Sequence, residues 1–290
     1  MGAADIAAKA VMPAIAASRN GRLLSIASRD RGRASAMASQ HGVPRVADTY
    51  EALLEDPEVD AIYIPLVNSV HREWTLKSLA AGKHVLCEKP LAMDAAEAEE
   101  MSQAADASGL HLMEAFMYRF HPRTRAFVEA AREPLFVQSN FGFPLRDRTN
   151  VRMKPELGGG ALLDIGCYTV SIARWLLGEP LEVRALARID PEAGVDMTVT
   201  ALLAFEDGAT AAVWSSFESP EEQRLTVVSR DQTQRLDRPF SSWRDPDDPY
   251  QLMVESFGDS VLHDRPVAIP LGESVANMRV LDRIREAARF

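Results

Sequence analysis

The sequence predicts an α/β protein built from two domains, and three observations lead to this prediction. Over residues 4–115, short apolar segments alternate with helical segments, as in a parallel sheet with helices on both faces. Over residues 135–229, longer strands follow one another, as in an α+β domain with a mostly antiparallel sheet. A length of 290 residues also suits two domains. We place the boundary near Met117–Pro122, which gives domains 1–117 and 118–290.

The elements of the first domain follow from its short apolar runs and from the glycines that close its helices. Glycine adopts a left-handed backbone without penalty, so Gly42, Gly82 and Gly109 mark helix ends. The predicted helices span 4–18, 30–41, 70–81 and 95–107. The predicted strands span 23–27, 61–65, 85–87 and 110–115.

The second domain combines a run of strands with helices at each end. Glu206-Asp207-Gly208 joins two of the strands as a hairpin, and a helix runs from the glycines at 158–160 to about Leu177. The predicted strands span 135–142, 181–188, 197–205, 209–217 and 223–229. The other predicted helices span 123–132, 250–262 and 273–288.

Composition narrows the class of protein. A net charge of −10 and a pI near 5.2 argue against a nucleic-acid partner, which needs a basic face. We expect no membrane span, because no uninterrupted apolar run reaches roughly 18 residues. We also expect no signal peptide, since Asp5 and Lys9 interrupt the alanine-rich start. Cys87 and Cys167 fall in predicted buried elements, which suits reduced thiols in a cytoplasmic protein.

The start of the chain resembles a phosphate-binding turn. Gly2-Ala3-Ala4-Asp5-Ile6-Ala7 loosely matches the G-x-G-x-x-G/A pattern of a Rossmann dinucleotide-binding domain, with Ala4 in place of the middle glycine. In such a turn the backbone approaches a pyrophosphate at a helix N-terminus. The cofactor residues predicted here are Gly2, Ala4, Asp5 and Ile6. An alanine-rich helix with one stray glycine remains the alternative.

The strand that should precede this turn is missing. The chain starts at Met1, inside the turn. Either the polypeptide begins several residues upstream, or the protein has lost its central strand. We expect the first, because losing a central strand would expose two sheet edges and much apolar surface.

The end of the second predicted strand indicates which nucleotide binds. An acidic ribose-binding residue is expected about 20 residues after the glycine turn, but Ser28-Arg29 stands there. Arginine forms strong paired hydrogen bonds with phosphate, and Arg33 adds a positive charge one turn later. This favours NADP. Asp30 can still reach a ribose hydroxyl, so NAD stays open, and a solvated arginine at a strand end is the plain alternative.

Two segments carry the candidate chemistry. Glu88-Lys89-Pro90 follows a buried strand, at the sheet edge where open α/β proteins bind ligands, although a lysine there can simply point to water. Asp164 and Tyr168 lie four residues apart after three glycines that let the backbone pass close to a ligand or another chain. A capping aspartate and a core tyrosine are the alternative to a polar site.

These segments together resemble the glucose–fructose oxidoreductase/inositol dehydrogenase/MocA family. The resemblance covers essentially the whole chain. Tyr168 stands where many members carry histidine, as in the subgroup of dihydrodiol dehydrogenase, NADP-dependent xylose dehydrogenase and glucose–fructose oxidoreductase. The matching segments are 65–71, 82–90, 114–122, 158–168 and 255–257.

The resemblance implies a Rossmann domain, a second domain with a large open sheet, and hydride transfer between nicotinamide and a sugar or cyclic diol. It implies Tyr168 as general acid/base, Lys89 as its partner on the substrate hydroxyl, and Asp164 as a substrate ligand or orienting group. It also implies homodimers or homotetramers formed through the open sheet. The further residues that it places at the cofactor are Leu66, Asn68, His71, Glu88, Lys89, Pro90 and Arg119.

The proposed pair is chemically sensible. A phenol with a pKa of about 10 is a poor base at neutral pH, and a nearby ammonium favours the phenolate. The alternatives are a redox-neutral glycosidase that retains its nicotinamide cofactor, and a non-catalytic or decayed nucleotide-binding paralogue. No metal site is predicted, because His84, His111 and His121 lack ligand spacing.

Overall fold

The computed structural model describes residues 1–241 and 246–288, and these fold into two compact units. Of the described residues, the first unit contains Met1–Leu91, Glu97–His121 and 246–274, and the second contains Ala92–Ala96, Pro122–Ser241 and 275–288. The chain leaves the first unit at His121. The return of 246–274 to the first unit was not anticipated, because it depends on long-range packing that no local pattern reveals.

The secondary structure follows the predicted order of elements. The α-helices are α1 Met12–Ala17, α2 Arg31–His41, α3 Tyr50–Glu55, α4 His71–Ala80, α5 Ala95–Ser108, α6 Pro122–Ala130, α7 Cys167–Leu177, α8 Pro249–His263 and α9 Leu271–Ala287. The strands are β1 Ser25–Ala27, β2 Arg45–Ala47, β3 Ala61–Ile64, β4 His84–Cys87, β5 Leu112–Glu114, β6 Pro134–Gly142, β7 Glu182–Ile189, β8 Asp196–Ala204, β9 Thr210–Ser216, β10 Glu222–Ser229 and β11 Thr233–Asp237. π-helical turns Ala7–Val11 and Leu162–Gly166 lead into α1 and α7.

Helix ends agree with the sequence signals. The side chain of Asp30 accepts a hydrogen bond from the backbone N–H of Arg33 and so caps the start of α2. Gly42, Gly82 and Gly109 have φ values of 65°, 76° and 65°, so each takes the left-handed conformation expected after a helix.

Three elements were missed by the sequence analysis. β2 and α3 have three and six residues, too few to show a period. β11 is Thr-Gln-Arg-Leu-Asp, and its polar composition is typical of a loop. It nevertheless pairs with β10 over Arg224–Val228. Pairing with a neighbouring strand therefore stabilises β11 as a strand, although its local sequence does not favour one.

The first unit contains two separate parallel sheets. One has the order β2-β1 and the other β3-β4-β5. A doubly wound dinucleotide-binding sheet has the order 3-2-1-4-5-6. The observed sheets match the 3-2 and 4-5-6 parts of that order, and the predicted Rossmann-like domain is confirmed.

The second unit is built on a six-stranded sheet of order β11-β10-β6-β9-β8-β7. All neighbours are antiparallel except β6 and β9. The largely buried helix α7 packs against β6 and β9. The predicted α+β domain with a mostly antiparallel sheet is confirmed.

One helical stretch of the described chain, Pro155–Leu177, has the length and composition of a membrane span. Its most apolar window is 78% buried inside the protein. A core helix passes the same test, so this stretch is weak support for a membrane span.

Candidate cofactor and catalytic sites

The glycine turn closes tightly against the end of β3. Gly2 has φ 83°, and a Cβ added there would lie 2.6 Å from Cδ2 of Leu66. The positive φ favours glycine at this position, since other residues rarely adopt a left-handed backbone. Half-buried Ala4 follows, and exposed Asp5 forms an ion pair of 3.2 Å with Lys9. The turn leads directly into a helix N-terminus, where free backbone N–H groups favour an anion.

Arg33 reaches the glycine turn from α2. Its Nη2 donates a hydrogen bond of 2.7 Å to the carbonyl oxygen of Ala3. Ser28 accepts from the backbone N–H of Asp30 at 3.3 Å, and Asp30 in turn accepts from the N–H of Arg33 at 2.9 Å. The carboxylate of Asp30 is therefore engaged in capping, while the guanidinium of Arg33 lies beside the turn. Arg29 is exposed at the same strand end.

The loops after β3 and β4 are joined by a buried histidine. His71 is 0% exposed, and its Nε2 and Nδ1 lie 3.0 Å and 2.9 Å from the carbonyl oxygens of Leu66 and Pro90. Burial lowers the pKa of His71, which favours the neutral ring. The contact fixes the position of the Lys89–Pro90 peptide, which is cis. Asn68 opens the short 3₁₀ turn Asn68–Val70 that leads into α4.

Glu88 is held at the sheet end by a tyrosine of the neighbouring strand. The hydroxyl of Tyr63 donates to Oε1 of Glu88 at 2.6 Å. Burial raises the pKa of Tyr63, and the negative charge of Glu88 adds to the effect. The Glu88 side chain is therefore fixed by this hydrogen bond. Lys89, the next residue in the chain, is only partly buried.

Glu114 is a buried carboxyl that the sequence analysis did not single out. It ends β5, is 1% exposed, and accepts a hydrogen bond of 2.9 Å from the backbone N–H of Leu91. Burial raises the pKa of Glu114 to about 7, although the positive charges of Arg119 and Lys89 act to lower it. The sequence signal that could have identified Glu114 was a glutamate at the end of an apolar strand.

Arg119 is paired within the first unit. Its Nη1 contacts Oε2 of Glu273 in an ion pair, and the arginine side chain is 10% exposed. The pairing holds the guanidinium close to the buried Glu114, and the charge of the guanidinium lowers the pKa of that carboxyl.

The second unit brings a cation to Asp164 and Tyr168. Nε of Arg152 donates to Oδ2 of Asp164 at 2.6 Å. The pKa of Arg152 is raised, first by Asp164 and also by the charge that Tyr168 can carry. Tyr168 is 7% exposed, and its ring lies 5.6 Å and 5.5 Å from the rings of Phe141 and Phe240. Arg152 was missed because it lies in the short 3₁₀ turn Val151–Met153, 12 residues before Asp164, and no helical spacing links the two positions.

Two of the three glycines before this segment lie close to other parts of the chain. A Cβ on Gly159 would lie 2.5 Å from the carbonyl oxygen of Arg152, and one on Gly160 would lie 2.1 Å from Oδ1 of Asp196. These glycines admit close packing of the chain against itself.

With this geometry established, the chain can be compared with known proteins. Residues 1–116 match the family model described as an oxidoreductase family with an NAD-binding Rossmann fold, and residues 131–233 match the GFO/IDH/MocA C-terminal domain. D-xylose 1-dehydrogenase (NADP(+)) 2 of Haloferax volcanii is 39% identical over 312 aligned residues, covering 99% of this chain and 96% of that protein. This chain belongs to the GFO/IDH/MocA oxidoreductase family.

Two further relatives refine its place in the GFO/IDH/MocA family. Trans-1,2-dihydrobenzene-1,2-diol dehydrogenase of Xenopus laevis is 37% identical, covering 73% of this chain and 64% of that protein. A crystal structure of a variant 3-ketoreductase from Actinomadura kijaniata, in complex with TDP-benzene and NADP, has a TM-score of 0.93 at 30% identity and covers 99% of this chain and 96% of that one. The predicted family, its dihydrodiol and xylose dehydrogenase-like subgroup, and the oxidoreductase class are confirmed.

The structure distributes the predicted residues between the two units of this GFO/IDH/MocA protein. Those at the glycine turn and at the carboxyl ends of the parallel strands belong to the first unit: Gly2, Ala4, Asp5, Ile6, Ser28, Arg29, Arg33, Leu66, Asn68, His71, Glu88, Lys89, Pro90 and Arg119. Asp164 and Tyr168 belong to the second. Among the described residues, no group of three or more histidine, cysteine, aspartate and glutamate side chains could hold a metal ion.

Proposed function

We propose that this protein is an NADP-dependent dehydrogenase that transfers a hydride between the nicotinamide and a CH–OH carbon of a sugar or cyclic diol. The observation that carries the proposal is the Gly2 turn, where the left-handed backbone favours glycine and where Arg33 of α2 donates a hydrogen bond to the carbonyl oxygen of Ala3. The turn lies in a chain 39% identical to a protein named as an NADP-dependent xylose dehydrogenase.

The first unit has the features that a dinucleotide requires. The close approach of Gly2 to Leu66 leaves bare backbone at a helix N-terminus, which suits a pyrophosphate. Arg33, with Arg29 exposed beside it, offers positive charge to a 2′-phosphate. Asp30 already caps α2, so its carboxylate is less available to a ribose hydroxyl, and this supports NADP over NAD.

Bound NADP supplies the hydride acceptor. The residues of this chain would then accept and return the hydroxyl proton. When the C–H bond of the alcohol gives up its hydride, the hydroxyl proton passes to Tyr168 as general base, and the C–O bond becomes a carbonyl. In the reverse direction Tyr168 returns that proton as general acid.

Two cations would support the phenolate of Tyr168. Lys89 would hold the substrate hydroxyl and favour the ionised phenol, and Arg152 supplies positive charge from within the second unit. Asp164 keeps Arg152 in place through the 2.6 Å hydrogen bond and would also bind or orient the substrate.

The experiment is a screen of aldoses and cyclic diols for NADPH formation, followed by Tyr168→Phe on the best substrate. We expect kcat to fall by about 10²–10⁴-fold while NADP affinity is unchanged. Near wild-type turnover in Tyr168→Phe would remove this residue from the mechanism, and NADP binding without any turnover would favour a non-catalytic protein.

We also propose a cytoplasmic homodimer or homotetramer that forms through the open face of the second-unit sheet. That face exposes Leu186 and Leu202, which are 63% and 57% exposed. The buried free thiols Cys87 and Cys167 suit a reducing compartment. Light scattering after size exclusion tests the assembly, and Leu202→Arg should shift the mass toward the monomer.

A further inference from the structure

Asp196 holds the start of the helical segment that carries Asp164 and Tyr168. It is the first residue of β8, and its Oδ2 accepts a hydrogen bond of 2.6 Å from the backbone N–H of Leu162. Its Oδ1 lies against Gly160, because a Cβ added to that glycine would be 2.1 Å from it. Gly160 has φ 104°, a conformation that favours glycine. One carboxyl group therefore touches the chain at two points within three residues.

The start of a helix needs an acceptor of this kind. The first N–H groups of a helix have no partner within the helix, and a carboxylate is a strong acceptor for them. Burial raises the pKa of Asp196 to about 6, whereas the hydrogen bond from Leu162 acts to lower it. The bond therefore favours the ionised carboxyl. Leu162 is 4% exposed, so loss of the carboxyl would leave its N–H in the interior without this acceptor.

Packing leaves room beside this part of the segment. A pocket of about 570 Å³ lies within the second unit, and its lining includes Gly159, Leu162 and Asp196. Chain that borders open space has fewer packing contacts to keep it in one place. The hydrogen bond between Leu162 and Asp196 therefore fixes a position that packing alone holds less firmly.

The same segment positions a charged pair. Asp164 lies in the π-helical turn Leu162–Gly166, two residues after the N–H that Asp196 accepts. The carboxylate of Asp164 accepts the 2.6 Å hydrogen bond from Nε of Arg152. The backbone N–H of Gly160 also donates to the carbonyl oxygen of Arg152, at 3.0 Å. A shift of the turn would therefore move Asp164 relative to Arg152 and disturb both contacts.

We propose that Asp196 is a positioning residue that keeps the Arg152–Asp164 pair where its cation favours the phenolate of Tyr168. Asp196 acts through the backbone at the start of the helical segment. This role rests on the proposed function, in which Tyr168 accepts the hydroxyl proton. The role also has a definite sign. Removing the negative charge of Asp196 by itself would favour the phenolate, whereas displacing Arg152 would disfavour it.

The test follows the ionisation of Tyr168 in the absence of cofactor and substrate. The ultraviolet absorbance of tyrosinate is titrated with base, and the titration of the matching Tyr168→Phe version is subtracted in each background. We expect Asp196→Ala to raise the midpoint by about one pH unit. Asp196→Asn removes the charge but keeps an oxygen for the N–H of Leu162, so it should not raise the midpoint. Asp56→Ala is the control, because Asp56 accepts a backbone N–H from Glu58 in the first unit.

A double variant separates this role from a general loss of structure. In an Arg152→Met background Asp196→Ala should cause no further rise, because Asp196 acts through that cation. Asp196→Ser, which also loses the reach of the carboxylate, takes the place of Asp196→Ala if circular dichroism shows that the alanine version does not fold.

An unchanged or lowered midpoint in the folded Asp196→Ala or Asp196→Ser version would overturn the proposal. An equal rise in Asp196→Asn, or an equal rise in the Arg152→Met background, would overturn it as well. None of these titrations uses NADP or a substrate. A chain without dehydrogenase activity would therefore contradict the proposed function, while the titration would still decide the role of Asp196.

Discussion

Arg152 donates from Nε to Oδ2 of Asp164 over 2.6 Å, and the same cation is close enough to Tyr168 for the two charges to interact. The second unit therefore supplies the phenol with its own positive charge. Lys89, the cation that sequence resemblance points to, belongs to the first unit. Arg152 can favour the phenolate whether or not Lys89 is at hand.

Removing the charge of Arg152 should move the pH dependence of the reaction. In Arg152→Met the phenolate of Tyr168 loses a stabilising cation, so the ascending limb of kcat/KM for alcohol oxidation shifts to higher pH, by about one unit. The measurement is a pH–rate profile between about pH 6 and 10. Arg148→Met is the control, because Arg148 is paired with Asp190 and Glu192 on the surface. A profile unchanged in Arg152→Met would contradict the assigned role.

Arg33 should determine the preference for the phosphorylated cofactor. Arg33→Ala removes a charge-assisted contact to a 2′-phosphate, and we expect the Kd for NADP to rise by about 10–100-fold with little change for NAD. Calorimetric titration with both nucleotides measures this. Arg31→Ala is matched, since Arg31 lies on the same helix but is paired with Asp48. Equal losses for NADP and NAD would indicate that Arg33 only supports the glycine turn.

Glu114 should make stability depend on pH in a definite direction. Burial raises its pKa from 4.5 to about 7, so between these values the folded state holds a proton that the unfolded chain has released. The stability from the neutral carboxyl is complete below about pH 4.5 and is lost as the pH rises through 7. We expect the free energy of unfolding to fall by up to about 3 kcal/mol over this interval, relative to Glu114→Gln.

Urea titrations at several pH values measure that difference. Glutamine keeps an oxygen for the N–H of Leu91 and cannot ionise, so its curve should lack this slope. Glu99→Gln, an exposed position on α5, should follow the wild type. Parallel curves for the wild type and Glu114→Gln would show that Glu114 does not titrate in this range.

Gly159 should tolerate no side chain. Its added Cβ would meet the backbone of Arg152 at 2.5 Å, and backbone cannot move aside as a flexible side chain can. We expect Gly159→Ala to lower the free energy of unfolding by about 1–3 kcal/mol. Gly272→Ala is the control, because nothing lies within 4 Å of its Cβ position. Equal stabilities of the two variants in thermal and urea unfolding would show that the chain relaxes around Gly159.

Much of the fold could be predicted because its signals are local. Asp30 and Gly42 bracket α2, and an aspartate cap and a left-handed glycine act within a few residues of themselves. The same holds for the glycine turn, where Gly2 is required by its own φ angle. β2 and β11 escaped prediction because they become strands only by pairing with β1 and β10, and that information lies elsewhere in the chain.

The candidate site also has features that the sequence indicates and features that only the tertiary structure shows. The sequence by itself determined the two-part architecture and the positions of Lys89 and Tyr168 in recognisable segments. Only the tertiary structure showed the hydrogen bonds that join Arg33 to Ala3, Arg152 to Asp164, and Leu91 to Glu114. The reason is physical: spacing along the chain specifies which residues share one helix or one turn. Charge pairing and burial depend instead on which distant segments the folded backbone brings within a few ångströms.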